Sequence, residues 1–135
     1  MEEMTLRVPV TVKAKVTEDF KAKIIADLQS RLEMVEQDLQ QIEFQAKRLL
    51  SEQAKIDAQG LVQIRQQIDV EQQKRLAFKE DVTAKLKEAQ ELTIGTEVPQ
   101  GNLEQQITVK VGDDLNAMMG AEILLEDGKI IAFRQ

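Results

Sequence analysis

Residues 6–16 alternate with period two. Leu6, Val8, Val10, Val12, Ala14 and Val16 fall on one side, and Arg7, Pro9, Thr11, Lys13 and Lys15 on the other. Alternation over this length predicts a strand with one buried face. Pro9 has no N–H for a ladder, so the strand must be an edge at that point or carry a bulge. Thr17 breaks the phase, with Glu18 and Asp19 behind it. A hydroxyl N-cap ahead of acids in a first turn predicts a helix start.

From there the apolar positions step by three and four: Ile25, Leu28, Leu32, Val35, Leu39, Ile42, Ala46, Leu49, Gln53, Ile56. This is the spacing of coiled-coil a and d positions, and it predicts a helix over 18–58. A second set follows through Leu61, Ile64, Ile68, Glu71, Arg75, Phe78, Val82, Leu86 and Ala89. Continuing the first register past Ile56 lands on Gly60, Gln63 and Gln67, so the second set is shifted by one residue at Gly60. A glycine just past a helix end supplies a left-handed C′ position. Residues 57–60 are therefore predicted to be a tight turn between antiparallel helices. Folding there sets Leu49 against Ile68, Leu39 against Phe78, Val35 against Val82 and Leu28 against Ala89. Ala46 and Ile42 face Glu71 and Arg75, whose long side chains would snorkel past the seam. The competing arrangement is one helix over 18–93 in a parallel dimer, which would have to bury Gly60, Gln63 and Gln67.

Gly95, Pro99 and Gly101 punctuate residues 95–102, which read as a linker. Ile107, Val109 and Val111 then alternate as a strand. Asp114 and Gly120 bracket a single helical turn at 115–119, and Asp127-Gly128 between two apolar runs is a type I′ hairpin signal. The predicted class is α+β: a long antiparallel coiled-coil helical hairpin emerging from a small, mostly antiparallel β sheet or open barrel. Residues 5–17 and 103–135 form the β module, and 18–94 the hairpin.

With these elements placed, the chain resembles the YlqD family of small bacterial proteins. The likeness is carried by Val10-Thr11-Val12-Lys13, the Gln- and Glu-rich helical middle, Val111-Gly112-Asp113-Asp114-Leu115, Met119-Gly120 and Glu126-Asp127-Gly128-Lys129-Ile130. It implies a bacterial cytoplasmic protein and brings no catalytic residues with it.

Composition narrows the chemistry. Charged residues make up 31% of the chain, and the aromatics are Phe20, Phe44, Phe78 and Phe133 alone, a balance that favours solvent-rich helical architecture. There is no Cys and no His, which excludes disulfides, thiolate zinc sites, histidine bases and cysteine nucleophiles. A net charge of −6 with no cluster of Lys and Arg argues against nucleic acid. The acidic start at Met1-Glu2-Glu3-Met4 lacks a secretory n-region, and no apolar run reaches membrane-span length. The expectation is a cytoplasmic protein with no membrane contact, no cofactor and no metal.

Candidate sites are few. Asp113 and Asp114 fall short of a calcium loop and read as a helix cap. Glu52, Asp57, Gln59 and Gly60 lie at the hairpin tip and are candidate tip contacts. Phe44, Val62, Val70 and Leu76 fall outside the seam, at f, b, c and b, and are candidate contacts for a protein partner or for self-association. No catalytic residue is assigned. The preferred function is a non-enzymatic interaction or assembly factor that binds a protein through the hairpin and forms a homo-oligomer. The alternatives are a prefoldin-like holdase, and a regulator that contacts the transcription or translation machinery with the hairpin tip.

Overall fold

The computed structural model describes residues 2–135. In chain order the elements are β1 (Glu3–Lys15), α1 (Glu18–Ile56), α2 (Gly60–Gln90), β2 (Glu97–Lys110), α3 (Leu115–Met118), β3 (Glu122–Glu126) and β4 (Lys129–Arg134). The fold is α+β. The chain divides into two units: residues up to Ala22 with Leu92–Gln135, and Lys23–Glu91.

The first unit holds one open four-stranded sheet of order β2-β1-β3-β4. β1 runs antiparallel to β2 from Glu3↔Lys110 to Lys15↔Glu97, and parallel to β3 over Thr11–Ala14. β3 and β4 form an antiparallel hairpin, so the sheet is mixed, with two of its three pairings antiparallel. The period-two pattern of β1 does what it predicts: Val8, Val10, Ala14 and, just beyond the strand, Val16 are buried. Pro9 is tolerated for a geometric reason. The Thr11 N–H donates to the Ala121 carbonyl on the β3 side, and two residues earlier the Pro9 nitrogen faces the same way. The β3 pairing begins only at Thr11, so no ladder bond is missed.

The expected linker at 95–102 is mostly strand. β2 begins at Glu97 and pairs Val98 with Ala14, Pro99 with Lys13 and Gly101 with Val12, leaving Gln100 as the extra residue of a bulge. Proline and glycine signal a break in most contexts, but both are accepted at a bulge on an edge strand, and β2 is an edge.

Local capping follows the sequence closely. Thr17 Oγ1 accepts the Phe20 N–H at 3.0 Å and donates to Asp127 Oδ1 at 2.6 Å. The Asp114 carboxylate accepts the Asn116 and Ala117 N–H groups at 3.0 and 3.3 Å, capping α3. Asp127 (φ +50°) and Gly128 (φ +82°) form the turn between β3 and β4, with both residues left-handed as type I′ requires. One charged cluster takes a member from each strand. Arg134 of β4 donates to both Glu97 oxygens of β2 at 3.1 and 2.5 Å and lies 3.2 Å from Glu122 of β3, which pairs with Lys13 of β1 at 2.9 Å. The two edge strands are thereby tied across the sheet.

In the second unit the helices run antiparallel, joined through Asp57–Gln59. Leu28 of α1 with Val82 and Ala89 of α2 form its buried cluster, flanked by Ile24, Ile25, Leu32 and Leu86. Val35 and Ala46 are buried further along α1. The turn falls where the phase slip puts it, but Gly60 acts differently from the expectation. It is the first residue of α2 rather than a left-handed C′ residue, and its positive-φ role is absent. A Cβ at Gly60 would meet the amide end of the flexible Gln53 side chain, so neither backbone handedness nor rigid packing demands glycine there.

Candidate functional site

The outer surface of the helical hairpin carries the candidate residues, and its layout follows from where the seam runs. From Leu28 onward the least exposed positions of α1 are Leu28, Leu32, Val35, Leu39, Ile42, Ala46, Leu50 and Gln53. Leu50 takes the place expected of Leu49, which is exposed along with Ile56. An α-helix drifts about 20° per heptad against a strict 3.5-residue repeat. Past Ala46 the a/d stripe has therefore rotated off the contact line.

On α2 the inward positions run Leu61, Ile64, Ile68, Gln72, Arg75, Lys79, Val82, Leu86 and Ala89. Gln72 and Lys79 replace the expected Glu71 and Phe78. The choice at Lys79 is electrostatic as well as geometric: its Nζ lies 3.7 Å from Glu36 across the hairpin, and Arg75 Nε lies 3.7 Å from Asp38. Lysine and arginine stems cover the seam while their heads meet acids at its edge. Arg75 Nε is itself buried without a hydrogen-bond partner.

This arrangement pushes Phe78 onto the flank, in a groove that Met34 of α1 also lines. The groove measures about 490 Å³, with Val35 at its floor and Arg31, Asp38, Lys74 and Arg75 around it. Met34 is 63% and Phe78 46% exposed, so two large apolar side chains from different helices face solvent side by side. The charges around the groove are largely compensated, Arg31 by Asp27 at 3.1 Å and Lys74 by Glu71 at 3.7 Å.

The four apolar residues singled out from the sequence are all exposed, Phe44 most at 71%, but they do not form one patch. Phe44 sits among Gln37, Gln40, Gln41, Gln45 and Arg48 on α1. Val70 sits among Gln63, Gln66, Gln67 and Glu71 on α2. Val62 and Leu76 are four turns apart along α2, about 20 Å. Sequence reasoning missed Met34, although it lies outside the seam at c, the heptad position of Val70. Its signal was its place beside Val35, about one helical turn from the Leu39 position that faces Phe78.

At the tip, Glu52 is held by Arg48 at 3.2 Å, and the Asp57 carboxylate accepts the Gln59 N–H at 2.9 Å. Gln53 Nε2 donates to the Asp57 carbonyl at 3.2 Å. Gln59 is exposed and Gly60 half-buried. The two tip acids point into their own local bonds and do not converge. Among the described residues no three of His, Cys, Asp and Glu gather as a metal cage, and no helix is long and apolar enough to cross a membrane.

An open mixed sheet and a long antiparallel helix pair with an apolar flank groove define a small α+β helical-hairpin protein. The sequence profile described as "YlqD protein" matches residues 4–134, and the chain belongs to the YlqD family. It is 26% identical over 127 residues to "Uncharacterized protein YlqD" of Bacillus subtilis (strain 168), covering 93% of this chain and 94% of that protein. Its fold is similar to that of a protein of unknown function from Synechococcus sp. WH 8102, known from a crystal structure. The TM-score is 0.79, with 24% sequence identity, across 98% of this chain and 95% of the other. At that identity the likeness speaks to the fold alone.

Proposed function

We propose that this YlqD-family chain is a non-enzymatic interaction or assembly factor of the cytoplasm that holds a protein partner along the flank of its helical hairpin. The observation that carries the reading is the Met34–Phe78 groove, since large apolar side chains exposed together, rimmed by charge, mark surfaces that bind. Two anchors of this size, once covered, would each contribute on the order of 1–3 kcal/mol. With neither His nor Cys in the chain, histidine-base and thiolate chemistry have no source among its side chains.

The test is affinity capture with three baits: the native chain, a Met34→Glu/Phe78→Glu double variant, and an Asp57→Ala/Gln59→Ala tip variant. The reading expects one protein to be captured by the native and tip-variant baits and lost by the flank variant. Loss with the tip variant alone transfers the function to the tip, as in a regulator of the transcription or translation machinery. Identical capture by all three removes the hairpin from the binding. The exposure of Phe44, Ile56 and Val62 also suits a holdase that meets unfolded chains at many weak points. That reading expects the native chain to suppress aggregation of an unrelated unfolding protein.

A further inference from the structure

Among the described residues β2 is an edge strand with no neighbour on its outer side, and two hydrogen bonds of Lys110 fix the direction of its backbone groups. The Asp113 carboxylate accepts the Lys110 N–H at 2.8 Å, and the Asp113 N–H donates to the Lys110 carbonyl at 3.0 Å. The Lys110 groups therefore point away from β1. Backbone groups alternate along an antiparallel strand, so Thr108, Gln106, Glu104 and Asn102 point outward as well. The same phase follows from the other strand, because Glu104 lies opposite Pro9, which has no N–H to give. The free row stops at the Gln100 bulge and Pro99 on one end, and at the Asp113-capped Lys110 on the other.

We infer that β2 docks antiparallel on β2 of a second copy, about a two-fold axis at Gln106, joining two sheets edge to edge. Several two-fold registers bring outward groups together, and an axis at Glu104 sets the two Glu104 carboxylates directly opposite each other. An axis at Ile107 drives Glu104 against Lys110, whose N–H and C=O are already taken by Asp113. An axis at Gln105 pairs Glu104 with Gln106 and sets the two Glu104 carboxylates on a diagonal, a like-charge contact. An axis at Gln106 pairs Glu104 with Thr108 and Gln106 with itself, meets the capped Lys110 only at its outermost pair, opposite Asn102, and puts no like charges together. Each Glu104 then lies diagonal to Lys110 of the other copy, within reach of long side chains. On the opposite sheet face Leu103, 57% exposed, lies against Val109 of the second copy, and Gln105 against Ile107. The strand is thus complementary in charge and apolar content to its own reversed copy, and this identifies a second copy as the occupant.

Sedimentation equilibrium of the full chain tests the proposal. The native chain should dimerise. Gln106→Pro removes an outward N–H, leaves the β1 ladder intact, and should raise the dissociation constant by about tenfold or more. Glu104→Lys should also weaken the dimer by about tenfold at low salt, and adding Lys110→Glu should restore it. If circular dichroism shows that Gln106→Pro fails to fold, the charge-reversal pair decides alone. A chain that stays monomeric at its highest soluble concentration overturns the proposal. So does a dimer that ignores these changes but is dispersed by Met34→Glu.

Discussion

At Gly60 and Gly128 the same residue type stands in two different physical settings, and substitution separates them. Gly128 sits at φ +82° in the β3–β4 turn, where an L-residue with a Cβ is strained. Gly128→Ala should cost about 1–2 kcal/mol. Gly60 has an ordinary helical backbone, and a Cβ there meets only the far end of the flexible Gln53 side chain. Gly60→Ala gains about 1 kcal/mol of helix propensity. Gln53 swings away and gives up its bond to the Asp57 carbonyl, about 0.5–1.5 kcal/mol. Its net effect should lie within about 1 kcal/mol of zero. Urea unfolding midpoints of the two variants check this; a Gly60→Ala loss as large as that of Gly128→Ala would restore the left-handed reading. Thr17 is a third test at this scale. Its hydroxyl caps α1 through the Phe20 N–H, so Thr17→Ala should lower stability by about 1 kcal/mol.

Between the helices, the ends of the seam are apolar and its middle is not, which sets the expected response of each. Leu28 is packed in the cluster with Val82 and Ala89, and Leu28→Ala should cost about 2–5 kcal/mol. Arg75 sits where an apolar residue would fit, with its Nε buried and unpartnered and its ion pair to Asp38 long at 3.7 Å. Removing the unmet donor relieves about 1–3 kcal/mol, whereas the half-exposed ion pair contributes at most about 1 kcal/mol. Arg75→Met should therefore stabilise the hairpin by about 1 kcal/mol, read as a raised melting temperature; a lowered one would mean that the ion pairs outweigh the orphaned donor. The sequence announced the elements well wherever one local rule decided them, as with the Thr17 cap, the Asp127-Gly128 turn and the alternation of β1. It misjudged choices between adjacent residues. Heptad counting cannot tell Leu49 from Leu50, or Phe78 from Lys79, because helix drift and cross-hairpin charges decide which one turns inward. The candidate site depended on those choices: the Met34–Phe78 groove exists because Lys79, not Phe78, faces Glu36. The 95–102 strand was missed for the opposite reason, because Pro99 and Gly101 obey an edge-strand exception that only pairing reveals.

For the molecule as a whole, acidification should produce two separable events. At pH 7 the chain carries a net charge of −6, and its isoelectric point is about 4.8. Mutual repulsion between copies fades toward that pH, so solubility should reach a minimum near it. The second event belongs to the charged cluster of the sheet. The Arg134 guanidinium, hydrogen-bonded to Glu97, holds that carboxyl below its ordinary value of 4.5. A carboxyl lowered in the folded state contributes its full stabilisation above the unfolded value and loses it as pH falls through the folded one. The tie between β2 and β4 should hold at neutral pH and weaken only below about pH 4.5. The groups are solvent-exposed, so screening keeps the effect small. Glu97→Gln removes the titrating partner while keeping its shape. In the variant the solubility minimum should barely move. The stability gap between variant and native chain, measured by urea unfolding at fixed ionic strength, should be open at pH 7 and close as pH falls below the ordinary carboxyl value of 4.5. Parallel curves over that range would mean that Arg134 and Glu97 meet without holding the edge strands together.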